Sequence, residues 1–369
     1  MAERKEIVLF YPHVPQAARE AARNVLDTRW IGQGPKVDEF EKVWFEQISH
    51  PHKSIAVGSG TDALHLAYIL ADIKQGDEVV VPVFTCTATN TPLLYLGAKP
   101  IFADVKPNNL NVDPESVKLL VNERTKAIVC VDYGGLPADL DELQEIANMW
   151  HIPLIEDACQ AHGAIYKGRY VGGIADFTAF SFQAIKIITT CDGGMLTIKN
   201  PGLEDKAKRI RWFGIDRKAK LEDKWGNDIT EVGYKYQMTD VSAAMGIEAM
   251  KILDQTLAHH RELFETYRKG LEDIPGIKFI GDDEIHHSSC WLCTVLVERR
   301  EDLKRKLAEN GIESNPVHYR NDMYTIFGGR VSNCPNMDRL ESKYLVLPMH
   351  YHLSVDDIKY ICEVIKAGW

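Results

Sequence analysis

The sequence predicts an α/β fold: a large domain built on a mostly parallel seven-stranded sheet flanked by helices, followed by a smaller C-terminal α+β domain. Three observations carry this. Short, continuous apolar runs such as Glu78-Val-Val-Val-Pro82 and Ala127-Ile-Val-Cys-Val-Asp132 recur through the first two hundred residues. Stretches with helical spacing separate them, and fully apolar strands alternating with helices mean a sheet covered on both faces. Beyond about residue 260 the alternation stops. A chain of 369 residues is also long enough for more than one core.

Taken in order, helical patterns cover Gln16 to Arg29 and Lys36 to Ile48, joined by Trp30-Ile-Gly-Gln-Gly-Pro35, whose glycines and proline mark a turn. Ser54 to Val57 is a strand, and Gly58-Ser-Gly-Thr-Asp-Ala-Leu opens a helix running to about Ala71. Further strands are expected at 78–82, 99–103, 127–132, 153–157, 177–181 and 195–198, with helices near 88–96, 113–121 and 140–150. A long helix is expected over 240–258, then a strand over 290–297 and helices over 302–310 and 355–366. The domain boundary is placed at 255, giving 1–255 and 256–369, with the N-terminal residues able to pack on the smaller domain.

Composition narrows the function classes. With 43 Lys plus Arg against 53 Asp plus Glu, the formal charge is −10. A nucleic-acid partner is disfavoured, because the net-positive footprint needed for a phosphate backbone is missing. No apolar run reaches the length of a membrane span, and Met1-Ala-Glu-Arg-Lys-Glu leads into a globular pattern rather than a leader, so a cytoplasmic protein is expected. The eight cysteines are scattered, several in strand-like runs, which points to reduced thiols. His286-His287-Ser-Ser-Cys290-Trp-Leu-Cys293 could supply zinc ligands or simply be packed in a strand. Without a second Cys-x-x-Cys, packing is the preferred reading and no metal site is assigned.

Three segments carry chemistry. Gly58-Ser-Gly-Thr-Asp-Ala-Leu is a Gly-rich strand-to-helix turn whose backbone N–H groups suit a phosphate, although a tight turn with nothing bound would read the same. In Ile155-Glu-Asp-Ala-Cys-Gln-Ala-His162-Gly an acidic pair ends an apolar strand, where open α/β sheets place their ligands. A carboxylate there could pair with a protonated pyridine nitrogen, or could cap a helix or hold a metal. His162 reads as a structural hydrogen-bonder rather than a catalyst. The third segment, Phe180-Ser-Phe-Gln-Ala-Ile-Lys186-Ile-Ile-Thr-Thr-Cys-Asp-Gly-Gly194, sets one lysine among isoleucines. Desolvation there disfavours the ammonium and favours a nucleophilic amine. A phosphate cradle, an acid for a pyridinium and a Schiff-base lysine, in that order, describe a pyridoxal 5′-phosphate (PLP) site.

These segments resemble the DegT–StrS family of nucleotide-sugar aminotransferases, PLP enzymes of fold type I. The likeness extends over nearly the whole chain, from Trp30-Ile-Gly-Gln-Gly-Pro35 to Leu347-Pro-Met-His350 and the amphipathic last helix. It implies Lys186 as the Schiff-base lysine, Asp157 as partner of the pyridine nitrogen and Gln160 near the ring hydroxyl. It implies that Ser181, with the backbone of Gly60 and Thr61, holds the phosphate. Two departures stand out. Pro82-Val-Phe-Thr85 is followed by Cys86, where the family has an aromatic residue stacking on the ring, so stacking is weakened or moved to Phe84. Gly233-Tyr-Lys235-Tyr-Gln237 replaces Gly-x-Asn-x-Arg, so Lys235 takes over the phosphate contact to a partner subunit in a homodimer with shared sites.

The implied reaction moves an amino group, from L-glutamate by resemblance, to a keto-sugar, foremost an NDP-4-keto-6-deoxyhexose, in amino-sugar synthesis for polysaccharide or glycoconjugates. Trp30, His318, Tyr319 and Tyr324 are sugar-contact candidates, and equally candidates for ordinary packing. Amination at C-3 and a dehydratase of the same fold are alternatives, although in the dehydratases histidine replaces the lysine. A nicotinamide-dependent dehydrogenase would need Gly-x-Gly-x-x-Gly, and Ala63 breaks that spacing. A non-catalytic regulatory protein of this fold would have no need to keep both Asp157 and Lys186.

Overall fold

A computed structural model describes residues 6–217, 228–281 and 285–369. Seven strands form the main sheet: β1 (Lys53–Val57), β2 (Glu78–Pro82), β3 (Lys99–Ala103), β4 (Thr125–Val131), β5 (Leu154–Asp157), β6 (Phe177–Ser181) and β7 (Gly194–Ile198). Their order is β1-β7-β6-β5-β4-β2-β3. All neighbours from β6 through β3 run parallel, and β7 alone runs against the rest. The central strands β2, β5 and β6 are buried along their whole length, so their apolar runs are continuous rather than alternating.

Helices cover the sheet and are anchored by their ends. Ser59 Oγ accepts the Asp62 N–H at 3.0 Å and starts helix Gly60–Leu70. Helix Pro35–Trp44 is capped from far away: Asp240 accepts the N–H groups of Gly34, Lys36 and Val37 at 2.7, 3.1 and 3.1 Å. The long helix expected over 240–258 is two helices, Asp240–Met250 and Leu253–Leu271. The helical spacing continues across the break, so periodicity alone does not show it. The first pattern, expected to reach Arg29, stops at Leu26, and the second gives way after Trp44 to a wider turn over Phe45–Ser49.

A separate apolar cluster gathers the second half of Leu253–Leu271 (Leu263, Phe264, Tyr267, Leu271), the last helix Val355–Lys366, and a three-stranded antiparallel sheet. That sheet is β8 (Ile277–Phe279), β9 (Cys293–Val297) and β10 (Tyr344–Leu347). Cys290 and Cys293 pack in this cluster. The strand begins at Cys293 rather than Cys290, because Cys290 takes a left-handed φ of 54° and turns the chain. The same cluster includes Ile7. Ile7 exchanges backbone hydrogen bonds with Gly311 and Glu313, both 2.9 Å, and the Leu9 N–H reaches Glu313 Oε2 at 2.8 Å.

Candidate active site

Strand register assembles the site at one edge of the main sheet. Asp157 ends β5 opposite Ala179, Ser181 ends β6 opposite Gly194, and Gly194 in turn faces Val57 at the end of β1. Because β7 is antiparallel, its first residue lies at the edge where β1, β5 and β6 finish. The backbone crosses so closely there that a side chain on Gly194 would meet Ser59 O at 2.2 Å, and one on Gly60 would meet Ser181 Cβ at 2.7 Å and Cys159 Sγ at 2.8 Å. Gly60, at the N-terminus of its helix, thus leaves a bare backbone surface facing Ser181.

Asp157 is buried, and each of its carboxylate oxygens accepts one hydrogen bond. Oδ2 accepts the Thr89 hydroxyl at 2.6 Å and Oδ1 accepts the Cys159 N–H at 3.1 Å. Thr89 lies 2.7 Å, oxygen to oxygen, from Thr85, at the end of the short strand just before its helix. Two polar bonds hold the carboxylate's orientation in a buried environment. Gln160 accepts the Gly134 N–H through Oε1 at 2.8 Å, so a ligand hydroxyl would meet its N–H₂ side.

Lys186 rises from the turn after β6. Its Nζ lies 3.7 Å from the centroid of the Trp291 ring. Burial pulls the Lys186 ammonium below the usual lysine range, while Cys159, Cys86 and Asp157 oppose that pull. The reciprocal effect reaches His318. Burial first, then the Lys186 charge, push its pKa down to about 3, so the ring is neutral. His318 Nε2 is buried without a hydrogen-bond partner, which leaves it available to a ligand.

Of the residues singled out in the sequence, the structure groups Lys186, Asp157, Cys86, Gln160, Ser181, Gly60 and His318. Thr61 follows Gly60 in the first turn of that helix. Tyr319 pairs through its backbone with Thr85 and is 42% exposed. Tyr324 precedes the short turn Thr325–Phe327, with its N–H on Asn321 O. Trp30 does not join the group. It lines a cavity of about 850 Å³ with Gln33, Arg211 and Arg217, and none of the grouped residues lines that cavity. Lys235 lies on an exposed ribbon with Nζ 4.6 Å from the Trp212 centroid. In the segment 216–230 leading to it, residues 218–227 lie outside the described residues.

Two expectations need correction. Phe84 is not free to stack on a ligand ring. It is buried between Tyr133 and Tyr344, at centroid distances of 5.0 and 4.8 Å. His162 is not a hydrogen-bonder. Neither ring nitrogen has a partner, and the ring stacks on Phe182 and Phe180 at 5.5 and 5.9 Å. Burial lowers its pKa to about 3, so it packs as a neutral aromatic. Sequence reasoning missed Thr89 and Trp291. The Thr85-Cys-Thr-Ala-Thr89 spacing, which brings a strand-end hydroxyl onto the first turn of the next helix, is the only local sign of the first, and nothing local signals the second.

The model of the DegT/DnrJ/EryC1/StrS aminotransferase family matches residues 13–366. The chain belongs to this family. GDP-perosamine synthase of Escherichia coli O157:H7 is 31% identical, with 98% of each chain covered. The UDP-4-amino-4,6-dideoxy-N-acetyl-beta-L-altrosamine transaminase of Campylobacter jejuni is 33% identical over 98% of this chain and 99% of that one. The crystal structure of the sugar aminotransferase CalS13 from Micromonospora echinospora superposes with a TM-score of 0.93 at 29% identity, covering 98% and 99% of the two chains. This DegT/DnrJ/EryC1/StrS member is therefore a PLP-dependent aminotransferase.

The residues present fit that cofactor. The surface left bare at Gly60 beside the Ser181 hydroxyl suits a phosphate at a helix N-terminus. The Asp157 carboxylate is oriented by two donors, as a partner for a ring N–H must be. Among the described residues no helix is long and apolar enough to cross a membrane.

Proposed function

We propose that this aminotransferase carries its PLP on Lys186 and transfers nitrogen from L-glutamate to the 4-keto carbon of an NDP-6-deoxyhexose. The observation that carries the assignment of Lys186 is its amine, drawn below the usual lysine range by burial and flanked by Asp157, Cys86 and Cys159. The names of the E. coli and C. jejuni relatives support a nucleotide-linked substrate, and the second specifies a 4-amino-4,6-dideoxy sugar.

When bound, PLP supplies the electron sink that lets nitrogen move between donor and acceptor. Asp157 keeps a proton on the ring nitrogen, because an ionised carboxylate stabilises a pyridinium where a neutral group does not. Ser181 Oγ and the N–H groups of Gly60 and Thr61 take the phosphate. The Gln160 N–H₂ group would orient the ring hydroxyl, and Cys86 takes the place of the aromatic residue that the family stacks on the ring. Once its amine is free, Lys186 Nζ moves the proton that must leave one carbon and return at another. His318, held neutral, can accept a hydrogen bond from a sugar hydroxyl through Nε2 without adding charge, and Tyr319 presents an exposed ring beside it.

The division at residue 255 belongs to the same reading. Helix Leu253–Leu271 crosses that point, giving Leu253 and Leu257 to the sheet-centred core and Leu263 onward to the second cluster.

The test is borohydride reduction of the holoenzyme followed by peptide mapping. The cofactor is expected on the peptide holding Lys186, and label on any other lysine overturns the assignment. Paired turnover assays with 4-keto and 3-keto NDP-sugars, using L-glutamate as donor, test the acceptor carbon and the donor.

A further inference from the structure

Trp291 lies in the His286–Cys293 segment, to which the sequence assigns packing rather than a metal, yet it touches the residue on which the proposed chemistry turns. Trp291 is 3% exposed, and Lys186 Nζ lies 3.7 Å from its ring centroid. That is well inside the roughly 6 Å over which an aromatic face attracts a cation.

The ring is fixed from several sides. The indole N–H donates to Ile185 O at 2.9 Å, the residue just before the lysine. Phe10 stacks on it at 5.8 Å with the planes 17° apart. Its own segment is pinned where Ser289 N–H meets Gly135 O and Leu292 N–H meets Gly134 O, both 3.0 Å. Gly134 is the residue whose N–H is held by Gln160. The left-handed Cys290 immediately before Trp291 makes the turn that presents the ring.

We propose that Trp291 is a positioning residue for Lys186: its indole face receives the lysine's ammonium group whenever that amine is free of covalent engagement and carries its proton. The proposal rests on Lys186 being the cofactor lysine. A free lysine in this site must neither wander nor lose its proton at the wrong moment. Burial lowers its proton affinity there, Cys159, Cys86 and Asp157 raise it, and the imidazoles of His162 and His318 are themselves kept neutral partly by its charge. An aromatic face adds attraction for the charged form without adding a second charge. It also gives the amine a fixed resting place beside its own backbone. Phe10 extends the stack into the N-terminal segment whose Leu9 is held by Glu313, so docking of that segment supports the ring.

The test reads the lysine directly. Full-length protein, in its pyridoxamine-phosphate form and freed of cofactor, is labelled with trace acetic anhydride across a pH series. The extent at Lys186 is then followed by peptide mass spectrometry. The titration midpoint reports proton affinity, whereas access alters only the plateau. In Trp291→Leu the midpoint is expected to fall by about one unit, while Trp291→Phe, which keeps an aromatic face, stays near wild type. Replacing tryptophan biosynthetically with 5,7-difluorotryptophan keeps the shape and drains the ring's negative face, so a graded fall is expected there even if the leucine variant does not fold. Coincident midpoints in wild type and the leucine or fluorinated protein would overturn the proposal, as would a phenylalanine variant that behaves like the leucine one. Because the cofactor-free chain is read as well, a negative borohydride map would refute the Lys186 cofactor assignment without being mistaken for failure of the Trp291 contact.

Discussion

Thr89 donates its hydroxyl to Oδ2 of Asp157 across 2.6 Å, joining the helix Thr87–Tyr95 to the end of β5 at the acid proposed to face the cofactor ring. Removing the donor leaves a buried carboxylate oxygen short of a partner. A loss of that kind costs about 1–3 kcal/mol, or roughly a 5- to 150-fold effect. Thr89→Val is expected to weaken PLP binding and lower kcat/KM within that range, and Thr89→Ser to restore most of it. Cofactor titration by visible absorbance and steady-state kinetics check this. A valine variant indistinguishable from wild type would show that Asp157 is held without Thr89.

Asp157→Asn conserves shape and removes the charge. A neutral amide cannot stabilise a pyridinium, so turnover is expected to fall by orders of magnitude with circular dichroism and melting temperature little changed. Near-normal turnover would make the carboxylate purely structural.

Glu156, the other half of the acidic pair, points away from Asp157, because successive strand residues alternate faces. It is fully buried and accepts the Thr178 hydroxyl at 2.7 Å. Burial, with a smaller contribution from the Asp157 charge, pushes its pKa up to about 7, against the opposing hydrogen bond from Thr178. The neighbouring buried Asp132 is raised as well, again by burial first and then by Glu156. The folded state therefore holds protons that the unfolded chain gives up near pH 4.5. The corresponding stability is fully present below that pH and is lost as pH rises toward about 7. Melting temperature across pH 5–8 is expected to decline in wild type and to decline less in Glu156→Gln. Parallel curves would remove Glu156 from this role.

Lys235, on the exposed ribbon over Trp212, is proposed to reach the phosphate of a partner subunit. Lys186→Ala and Lys235→Ala, each weak alone, are then expected to complement when mixed. A hybrid dimer has one site with both lesions and one with neither. Random exchange makes about half the dimers hybrid, so about a quarter of all sites should recover. No recovery despite demonstrated subunit exchange would place Lys235 outside the partner's site.

The seven strands, their mostly parallel arrangement and the helices between them were legible in the sequence, because full burial of a strand on both faces demands an unbroken apolar run such as Val79 to Val81. Lys186, Asp157 and the Gly60 turn were legible for a related reason. A lysine among isoleucines, an acid at the end of an apolar strand and a glycine between strand and helix each break the local pattern that packing alone would produce. What these residues touch was another matter. Thr89 meets Asp157 across 68 residues, and Trp291 reaches Ile185 across 106. His162 reads as a polar residue until Phe180 and Phe182 close over its ring, and Phe84 reads as available until Tyr133 and Tyr344 enclose it. Periodicity and local contrast report whether a position faces the core, because burial acts on each residue through its own side chain. Partners brought together by strand order and by the return of the chain from the second cluster depend on closure of the whole fold, so only the tertiary structure decided them.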